Sequence, residues 1–462
     1  MNEGVRLERL SPLDASNLRA EDRGVSMHVA ALVILDGTSL DGSSRQARLD
    51  AVRAVVERRL DLAPRLRQVL YQAPPGLGPA VWVDHRGFDI RQHVLARAVP
   101  APGYEETLLG VCAELNSTRL DRSRPLWEMW LLDGLAGGRA GLLIRLHHVV
   151  ADGIAALAMM AALFDASPGP GKDASLEPER VIRPVPSARE LAAENLRRRF
   201  REAARTAGWL RHPETVTARL RIRAGQASRV AREGRAPRVS LNVPVGEHRL
   251  IRLVRADLEL ARAVAHAHGG TVNDIVLAAV AGGARGLLAA RSELRPGLEL
   301  KASVPVSVRS PADPPTAGNR VGVMVVPLPV GDAGAGRRLT CIARATAERK
   351  RLPPVQPNAR ILQRWMVRAM SRQRLVNLLT SDLPGPQEPL RFAGARVLEL
   401  FQIGVVQGNI AITVGALSYA GQLNLGIVAD RDAVPDLAEF TGGMSDALEQ
   451  LGVLADAGRL AH

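Results

Sequence analysis

GLLIRLHHVVADGIAALAMMAALF, residues 141 to 164, changes its period partway along. Leu142, Ile144 and Leu146 alternate with Leu143 and Arg145, the period of a strand; if the strand continues, His148 lies on the face of those three apolar residues and points inward. From Ile154 a continuous run of Ala, Leu and Met about three turns long reads as a helix. Asp152 and Gly153 therefore stand at the strand-to-helix turn, where a short polar side chain and a residue without a Cβ are both favoured. At that turn the chain gathers the pattern His-His-x-x-x-Asp-Gly. His148 is a candidate general base, because an unperturbed pKa of about 6.5 leaves much of it neutral and able to accept a proton. A lone buried histidine is more often a hydrogen-bonded core residue, and what favours chemistry here is the pattern, in a chain with only 10 histidines.

The chain has 462 residues, of which 46% are hydrophobic, enough to form two cores of ordinary size. Its two cysteines, Cys112 and Cys341, form no disulfide framework and lack zinc-site spacing, which fits a reducing compartment. Met1 to Arg23 alternates charge without an apolar core, predicting no signal peptide, and the run Ile154 to Phe164 is about half a bilayer span. A cytoplasmic protein, soluble or peripheral on a membrane, is expected. Of the net charge of +14, ten arise between Arg183 and Arg238, where fifteen Arg face five Glu. Such a stretch could serve nucleic acid, an anionic membrane surface or a phosphorylated ligand. Nucleic acid is the weakest of these, for lack of interleaved stacking aromatics.

Strands and helices alternate along both halves, the pattern of an α/β chain. Ser11-Pro12 opens a short helix, and MHVAALVILDG (27–37) reads as a strand ended by Asp36-Gly37. Leu49 to Leu70 reads as one basic-faced helix, AVWVDHRGFDIRQHV (80–94) as a second strand with Trp82 running into a polar turn, and Tyr104 to Ser117 as a helix. RPLWEMWLLDG (124–134) is expected to pair as a hairpin with the strand ending at His147. His85 and His93 read as structural. Ala166 to Arg189 reads as a linker, followed by a basic amphipathic helix carrying Leu191, Leu196, Phe200, Ala203, Ala207 and Leu210. In the second half, Thr271-Val272-Asn273-Asp274 opens a long apolar helix, with Asn273 or Asp274 as an ordinary N-cap. KASVPVSVRS (301–310) reads as a strand ending in Arg309. A basic helical region, Arg337 to Arg374, several short strands and a terminal helix, Asp436 to Leu454, complete the pattern. Residues 1–165 are expected to form one domain with the histidine motif, 166–245 a linker with the basic helix, and 246–462 a second domain.

Several blocks, in order, carry a resemblance over nearly the whole chain: LSPLDAS (10–16), PLWE (125–128), HHVVADG (147–153), TVNDIVLAAVAG from Thr271, SVPVSVR from Ser303, GNRVG from Gly318, LPGP from Leu383 and SYAGQL from Ser418. The sequence resembles the bacterial wax ester synthase and diacylglycerol acyltransferase family. The resemblance implies two chloramphenicol-acetyltransferase-like domains, mixed sheets flanked by helices, with the histidine motif in a tunnel between them. It implies transfer of an acyl group from acyl-coenzyme A to diacylglycerol or a long-chain alcohol. By the same resemblance His148 is the base and His147 its supporting neighbour, Asp152 and Gly153 hold the turn, and Asn273 and Asp274 line the active site. Three positions depart from the family pattern: Asn17 replaces an aromatic residue, Asp382 an Asn, and Ala420 an Asn.

Asp152 is expected to pair with a buried arginine, with Arg309 the candidate. No metal or cofactor is implied, since acyl-coenzyme A is a substrate. The expected partners are acyl-coenzyme A, the lipid acceptor and an anionic membrane or lipid-inclusion surface, without nucleic acid. Two other readings stand beside this one: a condensation-type enzyme of the same superfamily acting on a specialised metabolite, and a non-catalytic lipid-surface protein using the arginine-rich helix. The intact histidine motif weighs against the latter.

Overall fold

The computed structural model describes residues 7–22, 26–40, 42, 44–151, 153–165, 185–210, 221, 225, 234–307, 321–351 and 372–454. In the N-terminal part, α1 (Pro12–Glu21) is capped by Ser11 and leads to β1 (His28–Asp36) and α2 (Arg45–Arg59). The expected helix to Leu70 stops there. Ala63-Pro64 breaks it into short 3₁₀ turns before β2 (Gln68–Tyr71), because proline has no N–H to continue the ladder. β3 (Val81–Asp84), β4 (Val94–Ala98), α3 (Glu105–Ser117), β5 (Trp127–Asp133), β6 (Arg139–His147) and α4 (Gly153–Leu163) follow, then α5 (Ala188–Leu210). The second half comprises β7 (Arg249–Asp257), α6 (Leu258–Ala267), α7 (Val272–Ala290), β8 (Leu300–Ser307), β9 (Val321–Leu328), α8 (Ala335–Lys350), β10 (Leu378–Leu383), β11 (Arg391–Phe392), β12 (Ala395–Ile403), β13 (Ile412–Tyr419), β14 (Gln422–Asp430) and α9 (Leu437–Gln450).

Two mixed six-stranded sheets organise these elements, in the orders β11-β12-β1-β6-β5-β4 and β7-β14-β13-β10-β8-β9. The expected β5–β6 hairpin forms, with Trp127 opposite Leu146. β1 lies between β12 and β6 and is buried along nearly its whole length. One face of this first sheet packs Leu142, Ile144 and Leu146 against α2 and α4; the other packs Leu143 with α3 and with Ile251 and Val428 of the second sheet. The second sheet is covered by α7, α8 and α9, whose apolar sides form the largest core. α7 is long and apolar enough to span a bilayer by length and composition, which the run at Ile154 did not suggest, but 72% of its apolar window is buried within the protein.

The division at residue 246 does not hold for the sheets. β11 and β12 come from the second half yet complete the first sheet, with Ala30 paired to Ile403 and Val33 to Leu400. To reach β1, β12 crosses the face of β13 and β14 at Gly415 and Gly426, which pair with each other. A Cβ on Gly426 would stand 2.2 Å from the carbonyl oxygen of Gln402, and one on Gly415 2.8 Å from the same atom. Only glycine permits that approach, so the glycine pair is the notch through which the crossing strand runs. The crossing is fastened by Arg255 of β7, which donates to Glu399 of β12 (2.5 and 3.0 Å) and to Glu105 of α3.

β13 and β14 are joined by the two residues Ala420 and Gly421, both at positive φ (44° and 83°), the geometry of a type I′ turn. Alanine at the first position is strained, where the asparagine usual at this site in the resembled family tolerates the left-handed region. Ala420→Asn should raise the melting temperature through a stabilisation of about 1 kcal/mol. A thermal melt unchanged or lowered by the substitution would refute this account of the turn.

Candidate active site

β6 ends at His147, and the chain turns through residues 148 to 150 before α4 begins at Gly153. The His148 N–H donates to the Met27 carbonyl (2.8 Å) and the Val150 N–H to the His147 carbonyl (2.9 Å), so the pairing with β1 persists one residue beyond the strand before the chain curls into the helix. His147 is fully buried and His148 half-buried. The two adjacent histidines thus occupy different surroundings, and His148 is the one accessible enough to meet a substrate.

The second sheet reaches this turn through the end of β10. A Cβ on Gly153 would be 3.1 Å from Leu383 Cδ1, so the absence of a side chain lets α4 begin directly against β10. Beside Leu383, the Asp382 carboxyl is pushed up to about 6 by burial and by the nearby Asp274 carboxylate, with Lys350 opposing. The histidine turn, the SDLPGP segment and the start of α7 therefore converge. Asn273 is half-buried there. Asp274 is buried and works as a cap: Thr271 is the N-cap, and Asp274, at the third helical position, accepts from the Thr271 N–H (2.7 Å) and hydroxyl (2.9 Å) and from the Thr346 hydroxyl (2.7 Å). The expected N-cap at Asn273 or Asp274 is thus Thr271. Asp152 and Arg309 lie outside the described residues, as does the pairing expected between them. His93 stacks between Phe88 and Trp127, with centroids 5.1 and 4.7 Å away, as a structural histidine does.

Beneath the histidine turn lies a buried charged cluster that the sequence reading missed. His28 is the direct cross-strand partner of His147, and their rings meet edge to face with centroids 5.6 Å apart. Glu21, at the last turn of α1, enters between them, with its carboxylate oxygens 3.1 Å from His28 Nε2 and 3.3 Å from His147 Nε2. Arg122 donates to the same carboxylate at 2.6 and 2.9 Å. Burial alone would raise the Glu21 carboxyl, but pairing with His147, His28 and Arg122 outweighs it and holds the group well below the usual carboxylate range. Burial pushes His28 down to about 4, with Arg145 and His147 adding to the effect and Glu21 opposing it. Arg145, fully buried on the His147 face of β6, donates to the Thr118 hydroxyl (3.0 Å) and carbonyl and to Glu128 (3.3 Å). One ligand atom each from Glu21, His28 and His147 falls within 4.8 Å of the others, so these are the residues that could hold a metal ion. The sign of the cluster could have been read from sequence in one respect: Arg145 and His147 interrupt the same face of an otherwise apolar strand.

Two mixed sheets thus meet at the histidine turn. The starter condensation domain of rhizomide synthetase shares this fold, at 15% identity and a TM-score of 0.59 over 98% of this chain and 95% of that one. A wax ester synthase/diacylglycerol acyltransferase from Marinobacter aquaeolei VT8 superposes with a TM-score of 0.68 at 25% identity, covering 96% of this chain and 98% of that one. Residues 10–276 match the family model of the wax ester synthase/diacylglycerol acyltransferase catalytic domain, and residues 317–452 that of its C-terminal domain. A relative described as a probable diacylglycerol O-acyltransferase, tgs1, of Mycobacterium tuberculosis H37Rv is 32% identical over 96% of each chain. The chain belongs to the wax ester synthase/diacylglycerol acyltransferase family, and it is an acyltransferase.

Proposed function

We propose that the enzyme transfers a fatty acyl group from acyl-coenzyme A to the hydroxyl of diacylglycerol or a long-chain alcohol, with His148 as general base. The observation that carries this reading is the half-buried His148 at a turn walled by the end of β10, beside its fully buried neighbour His147. Family membership and the diacylglycerol acyltransferase description of the mycobacterial relative supply the substrate class. His148 takes the hydroxyl proton as the acceptor oxygen bonds to the thioester carbon. It returns that proton to sulfur as the carbon–sulfur bond breaks, so the products are an oxygen ester and free coenzyme A. Transfer is direct, within a ternary complex. No Ser, Thr or Cys lies between Gly141 and Phe164, and Cys112 is buried with its thiol pushed up to about 12 by desolvation, which makes it a poor nucleophile. Asn273 lines the site where α7 begins, while Gly153 holds the turn against β10.

α5 supports a place for the reaction at a lipid surface. Of its expected apolar stripe, Leu191 packs inward against Val81 and Val83, whereas Leu196 (56% exposed) and Phe200 (66%) face out with Ala193 and Ala203. Arg197, Arg199 and Arg201 flank them. An exposed apolar stripe edged by guanidinium groups fits the boundary of an anionic bilayer or lipid inclusion, apolar side chains among the acyl chains and arginines among the phosphates. The proposed position is therefore a peripheral one, on a lipid surface.

One assay tests both parts. Palmitoyl-coenzyme A should release free thiol only when diacylglycerol or a long-chain alcohol is supplied, and diacylglycerol in anionic vesicles should be used faster than in neutral ones, with the advantage lost at high salt. Thiol release independent of any acceptor would sink the transfer reaction; equal rates on both vesicles at both ionic strengths would sink the surface reading alone.

A further inference from the structure

The cluster beneath the histidine turn joins three separate pieces of chain: the end of α1 through Glu21, the start of β1 through His28 and the end of β6 through His147. Its geometry leads to the catalytic histidine in a definite sequence. Nδ1 of His147 accepts the Val149 N–H (3.1 Å), so in this arrangement the ring carries its proton on Nε2, the nitrogen facing Glu21. The ring is thereby held at both ends, by a carboxylate on one side and by the backbone of its own turn on the other. Val149 follows His148 directly, and the His148 N–H is tied to Met27, next to His28. The main chain on either side of His148 is thus anchored to residues that Glu21 organises.

Nε2 of His147 is buried and has no aligned hydrogen-bond partner among the described residues, although it lies 3.3 Å from Oε2 of Glu21, the oxygen that also accepts from Arg122. The carboxylate therefore acts on the neutral ring's Nε2–H through its charge and its position rather than through an aligned hydrogen bond. An uncharged substitute of the same shape should not reproduce it. Arg122 offsets part of the cost of burying the carboxylate, and its own side chain is 41% exposed, so the cluster connects to solvent on the side away from the turn.

We propose that Glu21 is a positioning residue for acyl transfer: its buried carboxylate fixes the His147 ring in the Nε2–H tautomer, and His147 in turn pins the Val149 amide and the backbone that aims His148. The proposal rests on the reading of His148 as the base. Orienting carboxylates of this kind act without touching substrate, by denying the histidine its other tautomer and its other ring orientations.

Glu21→Gln in the full-length enzyme tests it. The variant should keep its far-UV circular dichroism, lose about 10–100-fold in kcat, and leave KM for palmitoyl-coenzyme A nearly unchanged, because the aim of the base is lost and the donor site is not. Nitrogen-15 NMR of histidine-labelled protein should show the His147 signal as the Nε2–H tautomer in the parent and as a mixture in the variant. A folded variant with parental kcat, or one that loses kcat while His147 keeps its tautomer, overturns the proposal. Should Glu21→Gln fail to fold, Glu21→Asp replaces it. Retracting the carboxylate by one methylene keeps the charge but lengthens the contact to His147, so kcat should again fall at constant KM, and an unchanged kcat would count against the idea. His148→Ala run alongside separates the two layers, since turnover surviving in that variant refutes the base itself, whatever Glu21 does. Metal analysis of the purified chain closes the remaining route: a stoichiometric divalent metal that Glu21→Gln loses would make the cluster a metal centre and overturn the positioning role.

Discussion

His148→Ala should lower kcat by about 10²–10⁴-fold, the worth of one well-placed general base, with little change in the melting temperature. The expectation of an intact fold comes from the turn itself. The backbone bonds of this segment run from the His148 N–H to Met27 and from the Val149 N–H to His147, and neither needs the His148 side chain. The imidazole is half-buried, so its removal leaves no sealed cavity in the core. Affinity for palmitoyl-coenzyme A should stay close to the parental value, because in the proposed mechanism the imidazole acts on the acceptor hydroxyl. Direct transfer adds a second readout: intact mass after incubation with palmitoyl-coenzyme A alone should show no stoichiometric adduct. An adduct that an added alcohol discharges at the catalytic rate would replace direct attack with an acyl-enzyme, and full turnover in His148→Ala would remove the base altogether.

Arg255→Ala should be among the most destabilising single substitutions in the protein, costing about 3–5 kcal/mol as the loss of one partner from a buried ion pair does. The guanidinium is pulled upward in pKa against burial by Glu399 and Glu105, so both carboxylates stabilise its charged form. Glu399 keeps only 7% of its side chain exposed and would be left as a buried charge without its bidentate partner. The guanidinium also stands over the Phe401 ring, 5.1 Å from its centroid, so packing is lost with the charge. Arg262→Ala serves as the control. Arg262 pairs with Glu259 one turn away on an exposed helical face, where such contacts contribute little. If thermal melts place the two variants together, the fastening role assigned to Arg255 is wrong.

What the sequence made legible follows from range. The strand to His147, the helix read from Ile154 (observed from Gly153) and the β5–β6 hairpin are written in local periodicity, and the structure has them all. The long helix expected to Leu70 failed because the apolar spacing continues past Ala63-Pro64 while the backbone does not. Arg145 alternates with Leu142, Ile144 and Leu146, yet β6 is buried on both faces, and alternation does not separate inside from outside there. Glu21 and His28 escaped notice for a related reason. One ends a helix and the other begins a strand, and only the register of β1 against β6 sets them beside His147. The second-half origin of β12 had no local signature at all, apart from two glycines in strands that otherwise read as ordinary.

That crossing strand also bears on how the protein is made. During synthesis β1 emerges from the ribosome long before β12, and until Ile403 follows, one edge of β1 waits without the strand that covers it in the finished sheet. Pairing over so great a separation is slow to find, and an unfilled apolar strand edge invites contact with other nascent chains in the interval. A truncated chain ending before Ala395 keeps the histidine turn but carries that open edge permanently, so the turn cannot be excised from this enzyme as a well-behaved minimal domain.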